Sequence, residues 1–245
     1  MKVVITINVQ GECKVKRKVK LSFMKYEGRV FLTLFSLILN ISFLFLVFKL
    51  ERLFTMDTLL YLLVTAILSW LLGYQYDKVK YYSYVDHLTK CYNRSFIEKK
   101  FSKIGTPIQP LGFKSKKMVV YFFDVDHFKH INDRFGHHSG DKILQVLASI
   151  IIEMFSDRGY VVRWGGDEFA VFLPVDQSMD IDTIQNYIEY RLRNFILDEN
   201  ISFTVSVGQA VFPDEGKGLK ELMQIADQNM YMAKNRRLLR KESME

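Results

Sequence analysis

Apolar and polar positions follow three different rhythms along this chain. From Val30 to Phe48 almost every residue is apolar, with Thr33, Ser36, Asn40 and Ser42 the exceptions, and a second such run extends from Thr58 to Tyr74. Each approaches the ~20 residues that a helix needs to cross ~30 Å of hydrocarbon, so the pattern predicts two membrane-spanning helices. The connection from Lys49 to Asp57 is short, as antiparallel neighbours require. Beyond residue 85 the runs shorten. Met118-Val119-Val120-Tyr121-Phe122-Phe123 is continuously apolar and β-prone, the pattern of a buried central strand. Tyr160-Val161-Val162 and Phe169-Ala170-Val171-Phe172-Leu173 flank a Gly-Gly pair and predict a β-hairpin, glycine being tolerant of positive φ at such a turn. Leu144, Leu147, Ala148, Ile151 and Phe155 recur with helical spacing, as do Leu219, Leu222, Ala226, Met230 and Ala233. Val3 to Ile7 alternates like a short strand and suggests no function.

Charge sharpens the division. Residues 1–85 hold 12 Lys+Arg against 5 Asp+Glu, whereas residues 86–245 hold 22 of each. The basic character therefore belongs to the N-terminal part. The neutral remainder has no basic stripe, so no nucleic-acid partner is expected. Lys14, Lys16, Arg17, Lys18, Lys20, Lys25 and Arg29 precede the first apolar run, and only Lys49 and Arg52 lie between the two. The positive-inside rule then places both termini in the cytoplasm, with two crossings of the inner, cytoplasmic membrane. The expected organisation is a basic cytoplasmic segment at 1–28, a transmembrane hairpin at 29–75, a linker at 76–85 and a C-terminal domain at 86–245. Cys13 and Cys91 are too few for a disulfide frame or a zinc site.

The candidate chemistry begins where the central strand ends. Asp124-Val125-Asp126 puts two carboxylates two residues apart, hence on one face, where they repel unless a cation joins them. Alone the pair is unspecific, since nucleotide-sugar transferases and polymerases carry it too. Next come Phe128-Lys129-His130-Ile131-Asn132-Asp133 and Gly136-His137-His138-Ser139-Gly140-Asp141. Taken singly, Lys129 is a solvated charge, Asn132 a turn former and Asp141 the N-cap of the helix that follows. The hairpin tip reads Arg163-Trp164-Gly165-Gly166-Asp167-Glu168-Phe169, with two acids directed out of the fold.

Together these segments resemble the GGDEF family, the diguanylate cyclases. The pattern Asp-x-Asp-x-Phe-Lys-x-Ile-Asn-Asp-x-x-Gly-His-x-x-Gly-Asp is met at every defined position from Asp124 to Asp141. The resemblance extends from about Asp86 to Arg237 and includes Asp86-His87-Leu88-Thr89 with Asn93-Arg94, and Ala226-Asp227 with Met230-Tyr231 and Ala233-Lys234. It implies an α/β fold: a palm-like, ferredoxin-like nucleotidyl cyclase domain with a central, mainly antiparallel sheet, here preceded by the two-helix hairpin.

The implied activity is condensation of two GTP into cyclic di-GMP with release of pyrophosphate. Asp124, the backbone carbonyl of Val125, Asp167 and Glu168 would hold two Mg²⁺ ions, with Mn²⁺ as an alternative. Asp167 and Glu168 would be catalytic, together with Lys129 facing the phosphates. Asn132 and Asp141 would bond the guanine and His137 would lie along the nucleotide. Gly165 and Gly166 would admit the triphosphate, and Lys234 would reach a phosphate. Each domain of the family holds one GTP, so a homodimer is implied. The membrane bilayer and a downstream cyclic di-GMP receptor complete the expected partners.

Three departures from the family pattern stand out. Lys90-Cys91 replaces a Gly-Leu, Asn235-Arg236-Arg237-Leu238 replaces the closing Gly-Arg-Asn, and Ser156-Asp157-Arg158-Gly159 stands where relatives carry an inhibitory Arg-x-x-Asp. Feedback inhibition through that site is therefore expected to be weak or absent. The rival readings are a catalytically inactive nucleotide receptor or scaffold on the same fold, a cyclase making another cyclic dinucleotide, and a plain membrane interaction protein.

Overall fold

The computed structural model describes residues 5–7, 13–15, 26–49, 56–102, 117–193, 201 and 203–242. The chain divides into two compact units, Lys18–Ser83 and a second made of Met1–Arg17 with Tyr84–Glu245.

In the first unit the apolar runs form α1 (Glu27–Lys49) and α2 (Met56–Tyr82), both long and apolar enough to cross a membrane. Their large side chains face outward, Phe45 being 71% exposed and Leu72 62%, as suits a lipid-facing surface rather than a protein core. The helices are antiparallel neighbours in tight contact. A Cβ on Gly73 would lie 2.5 Å from Arg29 Cα. Asp77 of α2 accepts from the backbone N–H of Gly28 (2.7 Å) and of Arg29 (3.3 Å), and from Arg29 Nε (3.0 Å). It thereby caps the electropositive start of α1. Thr65 Oγ1 donates to Asn40 Oδ1 at 3.2 Å between the two helices. α2 continues to Tyr82, so most of the segment expected to be a linker at 76–85 is helix. The loop of residues 50–55 and most of the basic cluster, including Lys16, Arg17, Lys18, Lys20, Lys25 and Arg52, lie outside the described residues.

The second unit contains β1 (Ile5–Ile7) paired antiparallel with β2 (Cys13–Val15); Val3 and Val4 of the alternating stretch lie outside the described residues. Its main body runs β3 (Tyr92–Asn93), α3 (Arg94–Ser102), β4 (Met118–Val125), α4 (Phe128–Phe135), α5 (His137–Phe155), β5 (Tyr160–Arg163), β6 (Glu168–Pro174), α6 (Ile181–Arg193), β7 (Val205–Phe212) and α7 (Leu219–Glu242). The five strands form one sheet in the order β3-β5-β6-β4-β7. β3 and β5 are parallel and every other pair is antiparallel. The continuous apolar run of β4 is explained by its place between β6 and β7, with both faces covered. On one face Tyr121 and Phe123 join Leu144, Leu147, Ile151 and Phe155 of α5 and Ile184 and Ile188 of α6 in a single core. On the other, Phe122 faces α3 and α7, whose Leu222, Ala226 and Met230 are buried as their spacing predicts.

Candidate active site

The chemistry gathers at one end of β4 and β6. Antiparallel register sets Asp124 opposite Glu168 on one side and opposite Ser206 on the other. Glu168 is the first residue of β6, and Asp167 precedes it in the hairpin loop. The tip is closed by Trp164 N–H donating to Glu168 O at 2.9 Å.

Neither hairpin glycine adopts a left-handed φ, contrary to the turn expected from the sequence. Gly165 instead leaves room for the present position of the Glu168 carboxylate, the movable end of a side chain. A Cβ there would lie 2.4 Å from Glu168 Oε2, whereas a Cβ on Gly166 would meet nothing within 4 Å.

The hairpin is held from outside by Arg163. Its Nε and Nη2 donate to Gly166 O at 3.2 and 2.7 Å, and its Nη1 to Asp86 Oδ1 at 3.0 Å. Asp86 also accepts from Thr89 N–H (2.8 Å) and Thr89 Oγ1 (2.7 Å). Burial alone would raise the Asp86 carboxyl, but the bonds from Thr89 and Arg163 outweigh it and hold the group below the usual range. In this turn Lys90 occupies φ 60°, at the position where the family pattern has glycine. A lysine thus bears the strain of a left-handed φ.

The acids themselves are under electrostatic load. Asp167 is pushed up by burial and then by the charge of Asp124; Glu168 is pushed up by burial and then by Asp167, Asp124 and Asp227. A cation would relieve that repulsion, so the donor set suits Mg²⁺ in its chemistry. Among the described residues, however, no three His, Cys, Asp or Glu side chains converge on a point that could hold a metal ion. Lys234 Nζ donates to Asp124 Oδ2 at 2.8 Å and lies 3.1 Å from Asp126 Oδ1. The lysine expected at a phosphate rests on the metal-side carboxylates.

Asp126 is placed differently from Asp124. Its Oδ2 accepts from Thr204 Oγ1 (2.6 Å), its Oδ1 from Ser206 Oγ (2.8 Å), and it is buried. Burial raises its carboxyl, but these hydroxyls and Lys234 bring it below the usual range.

The expected nucleotide residues lie on α4 and α5. Asn132 Oδ1 is buried and has no hydrogen-bond donor, which is costly unless a ligand supplies one. Gly140 makes the approach possible, because a Cβ there would fall 1.9 Å from that oxygen. Lys129, His137 and Asp141 are exposed. Asp141 is not the N-cap of α5. Gly136 holds that position, and Asp141 sits one turn further in, free of a capping duty. Val125 is buried in β4. Arg237 lies in α7 with its side chain outside the described residues.

Beside the acids, Arg94 and Glu98 of α3, Phe122 and Glu168 of the sheet, Trp164 of the hairpin loop, and Met223 and Asp227 of α7 line a groove of about 680 Å³. Arg94 stacks 4.7 Å from the Trp164 ring centre. At the site of the missing inhibitory motif, Gly159 admits no side chain, since a Cβ would meet Phe172 O at 2.1 Å.

Sequence reasoning had not assigned Arg163, Thr204, Ser206 or Asp227 a role. The available signal was the i, i+2 placement of Asp126 and the polar Thr204 and Ser206 alternating with apolar residues on one strand.

Residues 83–238 match the family described as "Diguanylate cyclase, GGDEF domain". Among curated proteins the chain is similar to the cyclic di-GMP phosphodiesterase NbdA of Pseudomonas aeruginosa, 30% identical over 61% of this chain and 19% of that protein. It is also similar to the diguanylate cyclase DosC of Escherichia coli, 33% identical over 62% of this chain and 33% of that one. It thus spans well under half the length of either. Among solved structures it is similar to the coiled coil and GGDEF domain of DgcB from Caulobacter crescentus in complex with c-di-GMP, with TM-score 0.54 and 24% identity over 66% of this chain and 85% of that one. The last likeness shows the fold, a palm-like α/β domain with a mixed sheet.

Proposed function

The chain belongs to the GGDEF family, and from that premise we propose that it is a membrane-anchored diguanylate cyclase, joining two GTP into cyclic di-GMP with release of pyrophosphate. What supports this most is the register that sets Asp124 beside Glu168, with Asp167 adjacent, at the open end of β4 and β6. Asp124, Asp167, Glu168 and the carbonyl of Val125 would hold Mg²⁺. When bound, the metal neutralises phosphate charge and makes the ribose 3′-hydroxyl a better nucleophile.

The remaining work falls to the chain. Asn132 Oδ1, the buried acceptor without a donor, takes an N–H of the guanine. Asp141 and His137, one turn apart at the start of α5, flank the same base and ribose. Lys129 and Lys234 set positive charge against the phosphates as negative charge gathers on the α-phosphoryl oxygens. Asp167 takes the hydroxyl proton. Arg163, tied to Asp86 and Gly166, keeps the hairpin tip from drifting. One domain offers one guanine site, so attack of one 3′-hydroxyl on the other α-phosphate requires two chains face to face, and their alignment supplies part of the rate. The helices α1 and α2 anchor that homodimer in the cytoplasmic membrane with the catalytic domain in the cytoplasm.

A nucleotide receptor without turnover is the second reading, favoured by the failure of the acids to converge among the described residues. Full-length protein in detergent, incubated with GTP and Mg²⁺ and analysed by mass, separates them. Cyclic di-GMP is the expected product, and Glu168→Gln is expected to lower its rate by at least ~10³-fold with an unchanged circular dichroism spectrum. GTP bound but unreacted would favour the receptor.

A further inference from the structure

Lys234 and Asp126 form a unit that the family resemblance does not explain. The two carboxylates at the end of β4 share one ammonium, 2.8 Å from Asp124 Oδ2 and 3.1 Å from Asp126 Oδ1. They hold it on unequal terms. Asp126 is fixed: Thr204 and Ser206 bond its two oxygens, and its backbone N–H donates to Thr204 O at 2.9 Å. Moving it would break both hydrogen bonds and strand the buried Ser206 hydroxyl. Asp124 has only Lys234 as a hydrogen-bonding side chain in the described structure. Lysine is a flexible point charge on a four-carbon stem, so its tip can swing while the anchor stays.

We propose that Lys234 is the internal counter-ion of Asp124 in the metal-free protein and that Asp126 is the positioning residue that carries it. The inference rests on the cyclase reading of the site. A divalent cation and an ammonium on the two oxygens of Asp124 repel each other. Arrival of the metal with its nucleotide therefore displaces Lys234 from Asp124. Its hold on Asp126 keeps the freed charge beside the phosphates. The device neutralises a half-buried acid while the site waits, and it makes the metal bind better with nucleotide than alone, since the nucleotide offers the displaced lysine new anionic partners.

The test uses Mn²⁺ alone as probe, titrated into full-length protein in detergent without nucleotide, free Mn²⁺ being read by electron paramagnetic resonance. Lys234→Met is expected to bind Mn²⁺ about tenfold more tightly than wild type, the lost repulsion being partly screened by solvent. Asp126→Asn, whose amide oxygen still accepts from one hydroxyl while its Nδ2 can donate to the oxygen of the other, is expected to bind Mn²⁺ no more tightly than wild type. GTP affinity is expected to fall in both variants, and in the double variant no further than in Lys234→Met, since two residues acting through one charge are not additive. Circular dichroism of each variant verifies the fold. Equal Mn²⁺ affinity in wild type and Lys234→Met would overturn the counter-ion while leaving the cyclase reading in place. Additive losses of GTP affinity would overturn the role given to Asp126. Absence of Mn²⁺ binding in every protein, with or without GTP, would remove both the proposal and the metal site on which it rests.

Discussion

A methyl group at residue 140 would fall 1.9 Å from Asn132 Oδ1, and this is the most demanding steric constraint near the proposed guanine site. Gly140→Ala must turn the asparagine amide away or open the seam between α4 and α5. Because the contact with the base is the same in ground and transition state, its loss acts on KM. We expect the KM for GTP to rise about tenfold with kcat changed far less, as steady-state kinetics will show. An unchanged KM would separate Asn132 from the nucleotide. The family pattern gave the identity of Asn132, yet its buried and unpaired oxygen is a property of the packed helices. Lys90 makes a similar point. At φ 60° it bears a strain of about 1 kcal/mol that glycine would not, partly offset by the bond from its Nζ to His87 O at 2.6 Å.

The hairpin β5–β6 depends on an element far from it in sequence. Arg163 reaches 77 residues back to Asp86, the residue around which the turn before β3 is built. The carboxyl of Asp86 lies below its unfolded value, so the folded protein binds fewer protons than the unfolded chain as the pH falls. Its stabilising contribution is complete above the unfolded pKa, near 4, and is lost as the pH drops through the lower folded value. Asp86→Asn is expected to cost about 1 kcal/mol at pH 7, a figure reduced for the group's partial exposure. The gap to wild type should narrow below pH 4, where wild type loses the same charge. Denaturant unfolding at several pH values measures it. A gap constant with pH would assign the loss to geometry instead of charge.

At the scale of the whole molecule, the proposed cyclase reading, with one guanine site per domain, makes the rate depend on encounter between chains. In detergent the specific activity of the full-length protein is expected to fall on dilution and to return on concentration, because association is a mass-action equilibrium. Activity per chain that stays constant down to a demonstrably monomeric state would contradict the dimer. Much of this protein was determined by its sequence alone. The apolar runs specify α1 and α2 through their length, the 3.6-residue stripes specify α5 and α7, and the continuous run Met118–Phe123 requires a strand covered on both faces. These are local properties, since each element's period is written in its own residues. Which residues meet is not local. The order β3-β5-β6-β4-β7 joins Asp124 to Glu168 and Asp126 to Ser206, and the packing of α7 carries Lys234 across 110 residues to Asp124. A strand's propensity names no partner and a lysine's charge names no acid. Both are chosen only when the whole core closes, because burial on two faces leaves one register in which the apolar side chains and the buried polar groups are satisfied together.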